Sequence, residues 1–300
     1  MTEGHSAAAG VRELHSLFGF RMASDHTFLT RLAPAEAGTP ELTLRSVSES
    51  PLPPGWDSKP RAYESTAKID DQQSFLSIIV AEECTIFRFT EVVDFFIFPT
   101  EIVYQLLDAE YAFMVELHFL GFVLSYWLER RRIPAIHAAA VVVDERAVGF
   151  ISTNKGGKSS LAASFMAAGH ALLTDDIMAI DRTQSEYIVR PSYPQMRMWP
   201  EQATFFLGSY ETLQQVHPRL TKRRVPVGSG GLGTFRATSA PLGRIYLPQR
   251  RDGGGITFTD LSLSEAVFAL ARYSFLTDIV EHVGLHRKRF AVLADVARAV

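Results

Sequence analysis

The chain has 300 residues, of which 47% are hydrophobic and 21% are charged, and its formal net charge is −3. A chain of this length can bury a substantial core and commonly divides into two domains. The small net charge argues against a nucleic-acid or membrane partner, and a single cysteine, Cys84, excludes an internal disulfide framework. Residues 1–5 lack the basic start of a secretory signal, so we expect a cytoplasmic protein.

The first third of the chain predicts a small β-rich domain. Six prolines within residues 34–60 indicate an extended loop rather than a helix. Further on, short apolar runs rich in Ile, Val and Phe predict strands joined by hairpin turns. These runs are 75–80, 84–89 and 92–98.

A helix is expected next, from about residue 101 to the arginines at 130–132, because cations are favoured at a helix C-terminus. Its most apolar part, 113–128, is shorter than the roughly 20 residues that span a bilayer, which favours a buried helix. We therefore predict a mainly β N-terminal domain with the proline-rich loop at 1–110 and a second domain at 111–300.

A strand, a glycine turn and a helix follow one another at 147–168. Residues 147–151 are apolar, 152–159 reads Ser-Thr-Asn-Lys-Gly-Gly-Lys-Ser, and 160–168 is alanine-rich with apolar residues on one face. A phosphate-binding loop (P-loop) requires this context, because a helix start presents unpaired N–H groups and a positive dipole end to an anion. Ser152 stands where the strict motif has its first glycine, and it can make the turn with an ordinary φ.

The residue types of this loop suit a triphosphate. Gly156 and Gly157 let the backbone bring N–H groups against phosphate oxygens. Lys158 supplies a mobile cation for the β and γ phosphates, and Ser159 supplies a hydroxyl for Mg²⁺. The predicted ATP-binding residues are Ser152, Thr153, Asn154, Lys155, Gly156, Gly157, Lys158, Ser159, Ser160 and, outside the loop, Arg197.

Two adjacent aspartates, Asp175 and Asp176, follow a short strand predicted at 171–173. Neighbouring carboxylates are costly to place at a strand end unless a cation lies nearby. A helix separates this strand from 147–151, so a right-handed crossover should place the two strands parallel and close, with their ends at a ligand-binding edge. His137, at the start of the strand predicted at 138–143, is a further candidate.

Three features outside this region have alternative interpretations. Arg197 either clamps a phosphate or the acceptor, or stacks on Trp199. The cations at 222–224 precede a glycine-rich stretch, 228–233, which is either a lid over the phosphates or a mobile surface loop. The segment 263–300 predicts amphipathic helix packed on the sheet.

The ordered set of His137, the 152–159 loop, Gly169-His170 and Thr174-Asp175-Asp176 resembles the C-terminal domain of HPr kinase/phosphorylase. The intervals of 21 residues from His137 to Lys158 and 17 residues from Lys158 to Asp175 are also similar. The chain looks most like the shorter HPr-kinase-like proteins, some of which phosphorylate a serine of a lasso-peptide precursor. That group shares Trp-Leu-Glu, His-Ala and Pro-x-x-Pro-x-x-Arg-x-Trp-Pro segments, which lie here at 127–129, 137–138 and 191–200.

The resemblance implies an α/β fold, with a P-loop kinase domain of the phosphoenolpyruvate-carboxykinase-like type behind a smaller, mainly β N-terminal domain. It implies ATP and Mg²⁺ as cofactors, Asp175 as the base for the attacking hydroxyl, and catalytic roles for His137 and Lys158. Ser159 and Asp176 are the implied metal ligands. The resemblance does not extend to the N-terminal domain or the HPr-docking signature of full HPr kinases.

Three functions remain open from the sequence. The first is an ATP- and Mg²⁺-dependent serine kinase that acts on a peptide or protein, such as a lasso-type precursor. The second is a small-molecule (metabolite) kinase. The third is a nucleotide-binding regulator or degenerate kinase without phosphoryl transfer, an alternative that Ser152 keeps open. We expect no nucleic-acid or membrane partner, and homo-oligomer formation is left open.

Overall fold

The computed structural model describes residues 13–70, 73–250 and 253–300. Within these ranges the protein is a mixed α/β fold with a nine-stranded sheet, an eight-stranded sheet and a small three-stranded sheet. One of the large mixed sheets is strongly curled into a half-barrel. Residues 1–12, which include the segment used above to argue against a secretory signal and the start of the predicted N-terminal domain, lie outside the described residues.

The nine-stranded sheet is formed by the first third of the chain and has the order β3-β1-β2-β4-β9-β8-β7-β6-β5. Its strands are β1 Glu13–Leu17, β2 Phe20–Ser24, β3 Ala33–Pro34, β4 Leu42–Val47, β5 Arg61–Glu64, β6 Leu76–Val80, β7 Thr85–Phe89, β8 Val93–Ile97 and β9 Glu101–Leu106. The three strands predicted between 75 and 98 are confirmed as β6, β7 and β8, which pair antiparallel in sequence.

Two local predictions in this part of the chain were wrong. The proline-rich stretch 34–60 is not loop throughout, because it contains β4, which pairs in parallel with both β2 and β9 in the interior of the sheet. The helix expected from residue 101 is instead β9. Ile102, Val103 and Tyr104 in β9 are residues that favour strands, and β4 and β8 on either side complete its hydrogen bonding.

The helix that follows is buried, as predicted. It comprises α1 Ala112–His118, a π-helical turn Phe119–Val123 and α2 Leu124–Arg130, and its apolar side chains join the core of the nine-stranded sheet. Among the described residues, the segment 109–130 is the one helical segment long and apolar enough to cross a membrane, and 67% of its most apolar window is buried inside the protein.

The rest of the described chain builds the other two sheets and the remaining helices. In chain order these are β10 Ala135–Ile136, β11 Ala138–Val143, β12 Arg146–Ile151, α3 Lys158–Ala167, β13 Ala171–Thr174, β14 Met178–Arg182, β15 Tyr187–Arg190, β16 Gln195–Met198, α4 Pro200–Leu207, β17 Gln215–His217, β18 Leu220–Pro226, β19 Thr234–Phe235, β20 Ala240–Tyr246, α5 Leu263–Arg272 and α6 His286–Ala299. The eight-stranded sheet has the order β10-β14-β15-β20-β12-β11-β13-β19, and the small sheet has the order β16-β18-β17.

Helices cover both faces of the eight-stranded sheet. Alternate residues of a strand point to opposite faces, and β11 shows the result. Ala138 and Ala140 pack in the cluster that includes α5 and α6, whereas Ala139 and Val141 pack in the cluster that includes α3, α4 and the small sheet. This double burial explains why β11 is a continuous apolar run, and it confirms the predicted packing of the C-terminal helices on the sheet.

A buried ion pair links the two halves of the described chain. Glu116 of α1 accepts hydrogen bonds from the backbone of Leu29 and Thr30 and pairs with Arg224 of β18 at 2.5 Å. Glu116, Thr30 and Arg224 are all at most 4% exposed. Arg224 is fixed in this cluster and Leu232 is also buried, so these two residues fit neither of the alternatives for 222–224 and 228–233, a lid or a mobile surface loop.

We predict that Arg224→Met lowers the free energy of unfolding by about 3 kcal/mol, because it leaves the Glu116 carboxylate buried without a countercharge. The double substitution Glu116→Gln with Arg224→Met should recover part of that loss. Urea unfolding followed by circular dichroism measures both. The control is Arg298→Met, which removes an exposed pair with Asp295 and should cost roughly 0.5 kcal/mol or less. Equal losses for Arg224→Met and Arg298→Met would contradict the prediction.

Candidate functional site

Strand pairing brings the predicted site residues to one edge of the eight-stranded sheet. β11 is antiparallel to both β12 and β13, so β12 and β13 run parallel to each other with β11 between them. The two strands were predicted to be parallel and close; they are parallel, but one strand separates them. Ala138 pairs with Ile151 and Ala140 pairs with Thr174. His137, Ser152 and Asp175 therefore leave the sheet at the same edge.

The loop between β12 and α3 turns tightly. Lys155 has a φ of +60° and Gly157 a φ of +98°, so the chain passes twice through the left-handed region before the helix begins. A Cβ on Gly156 would lie 2.4 Å from the Ser152 hydroxyl oxygen and 3.0 Å from the Thr153 carbonyl oxygen. Glycine at 156 is thus required by close packing inside the loop, and Ser152 fills the space beneath it.

Lys158 folds back over the loop. Its amine donates to the carbonyl oxygens of Ser152, at 3.0 Å, and Thr153, at 3.3 Å. Lys158 is 8% exposed, and burial lowers the pKa of its amine, although the neighbouring Asp176 and Asp175 carboxylates act in the opposite direction. The amine is therefore held at the 152–153 end of the loop, close to both acids.

The N-terminus of α3 is open to an anion. No side chain caps it, and its first turn contains no acidic residue. No acidic residue of α3 itself therefore neutralises the positive end of the helix dipole. Two further cations lie nearby, because the amines of Lys155 and Lys222 approach the Trp199 ring from 5.2 and 5.6 Å. Of the cations at 222–224, Lys222 is the one that contributes to this site.

The carboxylate of Asp175 contacts the helix start directly. It accepts a hydrogen bond from the Ser159 hydroxyl at 2.9 Å and another from the Arg197 backbone N–H at 3.0 Å. Burial is the main cause that raises the pKa of Asp175, and the neighbouring Asp176 charge adds to it. Asp175 thus binds its proton more tightly than an exposed aspartate.

Asp176 lies in a different environment. Its carboxylate pairs with the Arg197 guanidinium at 2.9 Å and lies 3.4 Å from the His137 ring, which also contacts the Asp176 carbonyl oxygen at 3.1 Å. Burial alone would raise its pKa, but Arg197, His137 and the two site lysines, 158 and 222, together lower it. Burial lowers the pKa of His137 despite the Asp176 charge. Asp176 also adopts a φ of +78°, an uncommon value for a residue other than glycine.

Arg197 holds the acidic pair rather than stacking on Trp199. Its backbone binds one aspartate and its side chain the other, while the aromatic face of Trp199 is approached by the two lysines. Neighbouring carboxylates push each other's pKa values apart, and here the cation fixes which one stays ionised. The site therefore contains one carboxyl group with a raised pKa and one with a lowered pKa.

The Ser159 hydroxyl and the two aspartates are the oxygen donors of this site that could contribute to binding Mg²⁺. No group of three or more His, Cys, Asp or Glu side chains among the described residues could hold a metal ion alone. Mg²⁺ commonly uses one or two carboxylates with waters and substrate phosphates, and the Ser159 hydroxyl with the two aspartates offers that kind of partial set.

A scan against protein-family models and a search of curated proteins both find no match for this chain. The site's geometry is the basis for any functional conclusion. Of the residues predicted from sequence, the structure brings together the loop 152–159, His137, the aspartates and Arg197. Thr153, Asn154 and Lys155 are exposed on the loop.

Two residues of the site, Gln202 and Tyr193, were missed by sequence reasoning. Gln202 of α4 donates to the Ser160 hydroxyl at 2.5 Å and accepts from the Trp199 N–H, so it joins α4 to α3. Proline at 200 after Trp199 was the available signal for a helix start. Tyr193, whose pKa burial raises to about 12, gave no signal in the sequence. Lys222 was considered only as part of the lid or surface loop, and the pairing of β18 with β16 brings it beside Trp199.

We predict opposite stability effects for the two aspartates at pH 7. The folded-state pKa of Asp175 lies above its ordinary value of 3.8. Ionising Asp175 therefore lowers the free energy of unfolding as the pH rises from 3.8 through the folded-state pKa. Asp175→Asn should raise the free energy of unfolding by roughly 1 kcal/mol at pH 7 and give no gain near pH 3.

Asp176 has a folded-state pKa below 3.8, so its stabilising charge is present at neutral pH and is lost as pH falls through that lower value. Asp176→Asn should lower the free energy of unfolding by about 2 kcal/mol at pH 7, because Arg197 loses its charged partner. Urea unfolding at both pH values measures the two effects, and equal shifts for the two variants would count against this division.

Proposed function

We propose that the protein is an ATP- and Mg²⁺-dependent kinase that phosphorylates a serine hydroxyl of a peptide or protein. The observation that carries the proposal is the hydrogen bond between Ser159 and Asp175 at the uncapped start of α3, beside the Lys158 amine. It joins a phosphate-binding helix start to a proton-accepting carboxylate. Such a pair suits in-line phosphoryl transfer, which needs mainly positioning, charge neutralisation and a base for the hydroxyl proton.

In this proposal the backbone N–H groups of 156–160 and the Lys158 amine bind the phosphates of ATP. Arg197, predicted from the sequence to bind ATP, binds both aspartates through its backbone N–H and Nη1. Its Nε and Nη2 have no partner among the described residues and are free to donate to a phosphate. Mg²⁺, when bound through Ser159 and an aspartate, supplies positive charge against the β and γ phosphates. Asp175 takes the acceptor's hydroxyl proton, a role supported by its raised pKa, and His137 orients Asp176.

The contact with Ser159 also supports a second division of labour between the aspartates. Asp175 already binds the hydroxyl that would face Mg²⁺, so it could serve as the metal partner and Asp176 as the base. The lowered pKa of Asp176 makes it a weaker base, which favours the first division.

The wider assignment follows the resemblance to HPr-kinase-like proteins. It includes a P-loop domain of the phosphoenolpyruvate-carboxykinase-like type, a peptide or protein acceptor such as a lasso-type precursor, and a cytoplasmic location. The strand–loop–helix order of β12 and α3 and the acidic pair after β13 support this fold. The second candidate function is a nucleotide-binding regulator without transfer, and the observation that favours it is the engagement of Lys158 by loop carbonyls.

Lys158→Ala should weaken ATP binding at least roughly 100-fold, because the loop loses the cation that faces the β and γ phosphates. Isothermal titration calorimetry with Mg²⁺ and a non-hydrolysable ATP analogue measures the change. Lys288→Ala, which removes an exposed lysine from α6, is the matched control and should bind like the wild type. An unchanged affinity for Lys158→Ala would remove the basis of the proposal.

Asp175→Asn should keep ATP binding but lower phosphoryl transfer by about 10²- to 10⁴-fold, the usual contribution of a general base. Transfer of ³²P from ATP to serine peptides, proteins and serine-like metabolites, separated by size, measures activity and also identifies the class of acceptor. If Asp176→Asn is the more impaired variant and Asp175→Asn instead shows a raised Mg²⁺ requirement, the second division holds. ATP binding without any labelled product in the wild type would favour the regulator.

A further inference from the structure

A cavity of about 420 Å³ adjoins the 152–159 loop on the side of His137. Its volume lies within the usual range of ligand sites. Its walls are formed by the loop residues 152–154, His137, Phe122 and the segment 272–275. One wall of this cavity consists of Phe122 and the segment 272–275. These residues have no role in the phosphate binding or proton transfer proposed above.

The far wall is fixed to the sheet that carries the catalytic groups. The His137 N–H donates to the Tyr273 carbonyl oxygen at 2.7 Å, and the Phe275 N–H donates to the Ala135 carbonyl oxygen at 2.9 Å. Ser274 forms an antiparallel bridge with Ile136 between these two bonds. The segment 273–275 therefore extends the pairing of β10 and is hydrogen-bonded directly beside His137.

Phe122 reaches the cavity from a π-helical turn. The turn Phe119–Val123 lies between α1 and α2, and π-helical turns of this kind occur frequently at functional sites. Phe122 and Phe275 meet edge to face with 5.5 Å between ring centroids, and both remain partly exposed. They give the cavity an aromatic wall that is partly exposed to solvent.

The cavity lies at the reacting end of the phosphate site. The Lys158 amine, which in this kind of loop serves the β and γ phosphates, is bound to the carbonyls of Ser152 and Thr153, and both residues line the cavity. His137, on the same wall, contacts Asp176. A molecule in the cavity would therefore approach the γ-phosphate end of a bound nucleotide rather than its base.

Arg272 adds a free positive charge at the rim. It is exposed, and its guanidinium lies 5.8 Å from the Tyr273 ring. Within the described part of the chain, no carboxylate pairs with it, whereas Arg197, Arg224 and Arg289 each contact an acid. An acidic group on a ligand would complete the pair.

We propose that this cavity is the acceptor subsite, and that it selects a peptide with an apolar or aromatic residue next to the acceptor serine and an acidic residue close by. Phe122, Tyr273 and Phe275 bind the apolar side chain, and Arg272 binds the acidic one. The inference rests on the proposed kinase function, and it makes Arg272 and the aromatic wall determinants of specificity.

The test uses a serine-centred positional-scanning peptide library with ³²P-labelled ATP and Mg²⁺, on the wild type and on Arg272→Glu. The wild type should prefer acidic residues at one position and aromatic or aliphatic residues at another. Arg272→Glu should shift the charge preference from acidic to basic by roughly fivefold, as expected for an exposed ion pair, and the shift should weaken at high salt. Arg287→Glu, an exposed charge reversal in α6, is the control.

The aromatic wall is tested separately with Phe122→Ala, which should raise KM for the preferred peptide without changing ATP affinity. Thermal unfolding of each variant checks folding. If Arg272→Glu and Phe122→Ala label peptides with the same residue preferences as the wild type, the proposed subsite is wrong. The proposed kinase function is not affected by that result. ATP binding with no labelled peptide overturns the assignment of the subsite to a peptide, and absence of ATP binding in the wild type removes the proposed function as well.

Discussion

The hydrogen bond from Ser159 to Asp175 joins two parts of the chain that no local rule brings together. Ser159 lies in the first turn of α3, and Asp175 follows β13, sixteen residues later. They meet because β12 and β13 flank β11 in the same direction, so both strands end at one edge of the sheet. The tight loop before α3 then points the open helix start at the aspartates. The contacts among the loop, His137 and the two aspartates depend on this meeting of strand ends.

Placing two aspartates next to each other creates electrostatic repulsion, and one arginine, Arg197, offsets it. Two carboxylates side by side, one buried and one half-buried, cannot both ionise freely. Arg197 binds Asp175 through its backbone and Asp176 through its side chain, which leaves one acid with a raised pKa and one with a lowered pKa. Strongly perturbed pKa values of this kind cluster at functional sites, although structural ion pairs also produce them.

The first third of the described chain helps to position the site through the core that it shares with the rest of the chain. Its core is shared with the helix 112–130 and with residues near 276–280, and the Glu116–Arg224 pair anchors the strand that also carries Lys222. The same helix contributes Phe122 to the cavity beside the loop. Packing between the halves therefore fixes both a cation and an aromatic surface at the site.

The sequence alone determined the local elements of the site: the strand before the loop, the glycine turn, the alanine-rich helix and the acidic pair, because each depends on residues adjacent in the chain. It also predicted strands β6 to β8 from their apolar runs. Only tertiary structure decided that residues 101–106 form a strand, because the neighbouring strands complete its hydrogen bonds. Likewise, the pairing of Arg197 with Asp176, the burial of Arg224 and the approach of Lys222 arise from contacts between distant segments, and sequence spacing contains no information about them.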